Sequence, residues 1–428
     1  MNILMMTNTF TPHVGGVARS VSAFTEEYRK RGHRVIVVAP EFENQPEEEL
    51  DVIRMPAIQN FNGSDFSVVL PIPGFLRARL EDFHPDVVHS HHPFLIGSTA
   101  IRIANQYNIP LVFTHHTMYE QYTHYVPGDS PRMKRFVTNL TTGYANLCDE
   151  VIAPSESIAR ILRERGVNRP GITSIPTGVE IEAFATGDGR GFRRRHGVPE
   201  GAFTVGHLGR LAPEKNLEFL GRALVDFLGR RESAHFLLVG YGPSESPLRE
   251  LFEQAGVGDR VHFTGRQSGQ HLVDAYHAMD VFAFASKTET QGMVLVEAMA
   301  AGLPVVALEA NGVREVVRDG ANGRLLMEED EEGFAAALAD LAGAGPETWE
   351  RLKREASSTA RHFSKQSCAQ RVLDLYEKRL RRTLERPTDI HFWEQAREQI
   401  KTEWELLTNL ADAASAALQN RRDKGRGP

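Results

Sequence analysis

The run from Ser286 to Ala300, SKTETQGMVLVEAMA, carries Glu289 and Glu297 on either side of a glycine turn that leads into an apolar helical pattern. It follows DVFAFAS, a short apolar run of the kind that forms a buried strand. Backbone N–H groups at a helix start have no intrahelical carbonyl to bond. A helix start of this kind therefore suits the oxygens of a sugar or a diphosphate. About one turn further on, the Glu297 carboxylate can accept from both hydroxyls of a ribose. The plain alternatives are a polar loop residue at 289 and a solvated helix charge at 297. Placement directly after a buried strand favours the functional reading.

A second run, GHLGRLAPEKN from Gly206 to Asn216, opens from a strand into a loop with Arg210 and Lys215. Cations fixed beside a departing diphosphate stabilise charge that grows in a transition state, each charge-assisted contact contributing roughly 1.5–3 kcal/mol. Near the N-terminus, FTPHVGGVARS places Gly15 and Gly16 between a first strand and a helix. Glycine there permits close backbone approach to a ligand, and a plain tight turn accounts for it equally well.

VFTHHTMYEQYTHY, residues 112–125, ends a strand with His115 and His116 and continues to His124. A metal site would need ligands converging on one point. Adjacent histidines of a strand point to opposite faces, and no acidic partner stands at ligand spacing. One histidine facing a cleft as a hydrogen-bond partner is the better reading, with a core histidine bonded to a backbone carbonyl as its competitor. The chain contains no Asp-x-Asp pair, the kind of carboxylate set that a diphosphate-bound divalent cation requires.

These segments need elements to hold them. NILMMTN, HRVIVVAP, DVVHSHH, PLVFTHH and EVIAPS alternate with helical patterns in the first part of the chain. FTVGHLGRL, HFLLVGYG, RVHFTG, DVFAFAS and LPVVALE do so in the second. Strands alternating with helices imply parallel sheets covered on both faces, with ligands beyond the strands' carboxyl ends. TGDGRGFRRRHGVPEG, from Thr186 to Gly201, reads as the start of a second domain or the linker into it. The expected organisation is an α/β chain with domains at 1–185 and 186–365, a helix at 366–386 returning to the first domain, and a helical tail at 387–428. In that tail Trp393, Ala396, Ile400, Trp404, Leu407 and Ala411 form one apolar face, read as a terminal helix docked on a domain.

Length and composition agree. A chain of 428 residues with 41% hydrophobic content exceeds a single core. A net charge of -7 argues against nucleic acid as a partner. Cys148 and Cys368 show no metal or disulfide spacing, which suits a reducing cytoplasm. No apolar run is long enough to span a bilayer, and the N-terminus does not look like a signal peptide.

GRLAPEKN, PSES, YGP, FTG and AGLPVVA, together with the glutamate pair, make the chain resemble the family 4 retaining glycosyltransferases of GT-B fold over roughly residues 1–385. The resemblance implies two Rossmann-like domains facing each other across a cleft. It implies that Glu297 binds the ribose and that Glu289 with the backbone from Thr290 to Met293 holds the donor sugar. Arg210 and Lys215 would hold the diphosphate, and His116 would lie near the transferred sugar. Gly16 would lie near the phosphates or acceptor, and the base against HFTGR. The mechanism it implies is front-face displacement, with Glu289 kept open as a nucleophile.

HHTMYEQYTHYVP further resembles bacterial diacylglycerol glucosyltransferases. This implies UDP-glucose as donor, diacylglycerol as acceptor, and peripheral contact with anionic lipid on the inner face of the cell membrane. Tyr119, Tyr122, Arg132, Lys134 and Arg135 would serve that contact. Alternatives are a soluble sugar or inositol phosphate acceptor, a nucleotide-sugar 2-epimerase, and a non-catalytic nucleotide-sugar binder. No metal or other cofactor is expected, the nucleotide-sugar being a substrate. Transfer should accordingly persist after exhaustive EDTA treatment. Full loss in EDTA, restored by Mn²⁺, would place a cation at the diphosphate instead.

Overall fold

The first strand, β1 (Asn2–Met6), is apolar on both faces, and Ile3 to Met6 have no exposed surface. Such a strand belongs in the middle of a parallel sheet with helices above and below. The computed structural model describes residues 1–13, 15–58, 68–69, 75–120, 130–287, 289, 291–384, and 401, 405, 408 and 409. It divides into two compact units, Met1–Pro176 with Ala369–Pro428, and Thr177–Cys368.

In the first unit β1 is followed by α1 (Gly16–Lys30), β2 (Arg34–Pro40), β3 (Val52–Met55), the short pair β4 (Ala57–Ile58) and β5 (Val68–Val69), and α2 (Phe75–Leu80). Then come β6 (Val87–Ser90), α3 (Ile96–Tyr107), β7 (Leu111–Thr114), α4 (Pro131–Asn146), β8 (Glu150–Ala153), α5 (Glu156–Glu164) and β9 (Gly171–Ser174). Among the described residues the main sheet has seven strands in the order β3-β2-β1-β6-β7-β8-β9, all parallel. The order reverses between β1 and β6, which opens a crevice at their carboxyl ends. Helix starts are locally encoded. The Ser130 and Ser155 hydroxyls accept from Met133 N and Ile158 N at 3.2 and 3.3 Å, capping α4 and α5.

The second unit runs α6 (Gly189–Arg195), β10 (Phe203–Leu208), α7 (Leu217–Arg230), β11 (Ala234–Val239), α8 (Glu245–Gln254), β12 (Val261–Phe263) and α9 (Gln270–His277). It continues with β13 (Val281–Phe284), α10 (Met293–Ala300), β14 (Val305–Leu308), α11 (Val313–Val316), β15 (Gly323–Leu326), α12 (Glu331–Ala342) and α13 (Pro346–His362). Its sheet is β12-β11-β10-β13-β14-β15, again parallel, with the reversal between β10 and β13. The division between units falls after Pro176 rather than after 185. Val179 and Phe184 are buried in the second unit's core, and the turn Ile181–Phe184 packs on α10. The glycine- and arginine-rich stretch, read as the start of a second domain or the linker into it, lies inside the second unit and forms α6, capped by Asp188 and seated on α9.

Helix α14 (Lys365–Leu384) belongs to the first unit from Ala369 onward. Tyr376 is fully buried there, its hydroxyl bonded to His89 Nδ1 and its ring edge-on to Tyr28 at 5.9 Å. Arg379 pairs with the buried Glu150 carboxylate, which also accepts from Thr173 Oγ1 at 2.8 Å. The apolar face read at 393–411 lies outside the described residues. Of the tail, Asn409 Nδ2 donates to Leu140 O at 3.1 Å, and Glu405 lies 3.7 Å from Arg169. Removing Arg379 would leave Glu150 buried beside no cation. Arg379→Ala should lower unfolding free energy by about 3 kcal/mol or more, with Glu150→Gln in the same chain restoring part of it. Equal denaturation midpoints for wild type and Arg379→Ala would show that the pair does not hold α14.

Candidate functional site

At the reversal point of the second sheet, the loop leaving β10 meets the loop leaving β13. Lys215 Nζ pairs with Glu289 Oε1, and Ser286 Oγ donates to the same oxygen at 3.3 Å. Both charged side chains are mostly shielded, at 24% and 18% exposure, so the pair is screened less than a surface bridge. Arg210 is half exposed and bonds Glu214 Oε1 at 2.7 Å. Each cation expected at a diphosphate thus also has an acidic neighbour. The remaining N–H directions of the ammonium and guanidinium are what a phosphate would use.

A third loop leans on the first. Gly240 N donates to Gly265 O at 2.9 Å, Leu211 N donates to Tyr241 O at 2.9 Å, and a Cβ on Gly240 would lie 1.8 Å from Gly209 O. Glycine is required there by the close approach of two backbones.

Gly292, at φ +70°, turns the chain into α10 with no side-chain cap, which leaves the first N–H groups of that helix without a side-chain acceptor. Gln291 is buried and its amide is spent on Thr177, accepting from N at 2.7 Å and donating to O at 2.6 Å. Thr290 lies outside the described residues. Glu297 is only 9% exposed, which removes the solvated-helix reading, and the fully buried Tyr276 hydroxyl donates to its Oε2 at 2.8 Å.

His207 lies one residue before the end of β10 and escaped the sequence reading. Its Nδ1 bonds Ala283 O at 3.0 Å, its Nε2 is buried with no partner, and burial pushes its pKa down to about 4. A polar residue within an otherwise apolar strand was the available signal.

In the first unit the carboxyl ends of β6 and β7 bring together His89, His91, His92, His115 and His116. His91 Nδ1 and His116 Nε2 share a 2.8 Å hydrogen bond, and the two rings stack at 5.1 Å. His92 Nδ1 accepts from Asn8 N at 3.0 Å, and His89 Nε2 bonds Thr114 Oγ1 at 2.7 Å. His91 Nε2 and both ring nitrogens of His115 are buried without partners. Three of these histidines, those of DVVHSHH, were visible as three imidazoles in four residues after a strand and were passed over.

Gly16 is the first residue of α1, and Gly15 before it is extended at φ -163°, so no unusual backbone angle demands glycine at 15. Tyr119 packs edge-on against Phe94 at 5.1 Å and His115 at 6.0 Å, with its hydroxyl enclosed. It therefore faces inward, away from the surface role expected of it. Arg132 and Lys134 are exposed on the first turn of α4, whereas Arg135 is half-buried, leaving two of the three expected surface cations. Tyr122 lies outside the described residues. No described helix is long and apolar enough to cross a membrane.

Two parallel-sheet Rossmann-like units, with polar and charged loops at both reversal points, define a two-unit α/β class whose ligands bind beyond the strand ends. Residues 14–183 match Glycosyltransferase Family 4 and residues 190–359 match Glycosyl transferases group 1. The chain belongs to the family 4 glycosyltransferases, with the GT-B fold, and is an enzyme of that class. It is 29% identical to the alpha-monoglucosyldiacylglycerol synthase of Streptococcus pneumoniae, over 81% of this chain and 79% of that one. It is 30% identical to a GDP-mannose-dependent alpha-mannosyltransferase of Mycobacterium tuberculosis, over 80% of this chain and 88% of that one. The crystal structure of Anabaena HepE in complex with UDP superposes with a TM-score of 0.71 at 21% identity, covering 88% of this chain and all of that one.

Burial lowers the pKa of His89, His92 and His115 from 6.5 to about 3, and that of His91 well below its ordinary value, with repulsion from neighbouring imidazoles adding to the effect. His116 is likewise held at about 3. An unfolded histidine takes up a proton near 6.5 and the folded one does not. Stability is therefore unaffected above that pH and is lost as pH falls from 6.5 toward 3, by up to about 1.4 kcal/mol per histidine per pH unit. Melting temperature should fall steeply between about pH 7 and about pH 5. A flat profile would mean that these rings reach water.

Proposed function

We propose that the enzyme moves glucose from UDP-glucose to 1,2-diacylglycerol at an anionic membrane surface, with retention at the anomeric carbon and without a metal. The observation that carries the donor half is the Lys215–Glu289–Ser286 cluster beside Arg210, at the reversal point of the second sheet. In this reading the diphosphate takes remaining N–H groups of Lys215 and Arg210 and the open backbone N–H groups at Gly292 and Met293. Glu289 accepts from sugar hydroxyls, and Glu297, oriented by Tyr276, accepts from the ribose. The acceptor oxygen forms its bond to the anomeric carbon from the face the phosphate leaves, and its proton passes to the departing phosphate oxygen. His116, neutral at working pH, serves as a hydrogen-bond partner for the sugar. The similarity to a glucosyldiacylglycerol synthase supports the acceptor, and exposed Arg132 and Lys134 would each gain about 1 kcal/mol from anionic lipid at the inner face of the membrane.

Lys215→Ala should lower kcat by roughly 10²-fold or more with less change in KM, because its contact strengthens as leaving-group charge develops. A change confined to KM would assign Lys215 to ground-state binding. Glu297→Ala should weaken UDP-glucose binding, and a 2′-deoxyribose donor should lose less against the variant than against wild type. Equal discrimination by both proteins removes Glu297 from the ribose site.

The acceptor is tested with UDP-glucose and dispersed diacylglycerol against soluble sugars and an inositol phosphate. Binding to anionic vesicles should be lost in an Arg132→Glu, Lys134→Glu variant while UDP affinity is kept. Faster glucosylation of a water-soluble acceptor, by a protein that ignores vesicles, would leave the transferase and discard the lipid.

A further inference from the structure

The second unit has a cavity of about 610 Å³ at the amino-terminal end of its sheet, opposite the loops that leave β10 and β13. Phe203, the first residue of β10, Asp280, just before β13, and Trp349 and Lys353 of α13 line it. Arg193 and Arg231 complete its charged lining.

The charges are not balanced. One carboxylate faces three cations: Asp280 Oδ2 accepts from Arg193 Nη2 at 2.9 Å and from Thr204 N at 2.7 Å, and Arg193 also donates to Ala278 O and Ala202 O. Arg231 and Lys353 are in no ion pair among the described residues, and Arg231 Nε is buried with no partner. Each sits over an aromatic ring instead: Arg231 is 5.7 Å from the centroid of Phe203, Lys353 is 6.0 Å from that of Trp349, and the two rings are 6.1 Å apart. A half-buried guanidinium and an exposed ammonium, each held over one of two neighbouring aromatic rings, present two cations to an anion entering the cavity. The volume is far more than a bare phosphate fills and lies within the range of metabolite pockets.

We infer that this cavity binds a phosphate monoester with a ring-sized body, such as a sugar phosphate, at a second site separate from the donor loops. The guanidinium and ammonium take the phosphate, and Phe203 and Trp349 cover the body of the ligand. The inference stands on the cavity, and only its control ligand, UDP, is taken from the donor reading above.

The test is calorimetry on the full chain with glucose 6-phosphate as probe, at a UDP concentration that fills one site. Saturable binding is expected, absent with glucose and weaker with inorganic phosphate. Arg231→Gln and Lys353→Ala should each weaken it by about 10-fold or more while UDP affinity stays unchanged. Lys353 is exposed on α13, so its variant keeps the fold, and a thermal melt checks both. No binding at millimolar probe, binding abolished by UDP, or binding untouched by either substitution overturns the site. Inorganic phosphate binding as tightly as the ester overturns the assignment of ligand class.

Discussion

The ion pair between Lys215 and Glu289 is the contact on which the second unit's site turns. At the reversal of a parallel sheet the crossover helices go to opposite faces, so the two loops leaving adjacent strands diverge and leave a gap. Here one loop supplies the cation and the other the carboxylate, and the pair spans that gap. Ser286 braces the carboxylate from the strand end, and the Gly240 loop presses on Gly209 from behind. The site is a small set of backbone ends held in register by charge, with few side chains of its own. That arrangement leaves room for a ligand with many oxygens.

The first unit solves a related problem without charge. Five histidines crowd the ends of β6 and β7, burial favours their neutral form, and four of them, His89, His91, His92 and His116, make directional hydrogen bonds. This depends on keeping water out. Tyr376 of α14 closes one side by bonding His89, and the Arg379–Glu150 pair fixes the helix that carries it. Helix α14 therefore takes part in setting the electrostatics of strand ends far earlier in the chain, Tyr376 and His89 being 287 residues apart.

The two units also differ in how their polar groups are fixed. Glu297 accepts from the buried Tyr276 hydroxyl, whereas His115 has no partner for either ring nitrogen. Leaving two polar atoms of one buried side chain unpaired costs several kcal/mol unless a ligand or water meets them.

Much of this was legible in the amino-acid sequence because it is local. The central strands read as apolar runs because they are buried on both faces, and Gly292, Ser130 and Ser155 act on residues next to them. Of the four edge strands of the two main sheets only β12, in RVHFTG, was legible: VIRM of β3, GITS of β9 and GRLL of β15 are half exposed, so no continuous apolar run marks them. Nor were the pairings. Lys215 and Glu289 are 74 residues apart, and Arg379 and Glu150 are 229 apart, distances over which sequence spacing carries no direction. Sequence by itself determined which elements form and which residues stand at their ends. Only the tertiary structure decided which ends meet, that Glu297 is buried, that Tyr119 faces inward, and that a row of histidines is too dry to hold a proton, because burial and partner choice are properties of packing between distant segments.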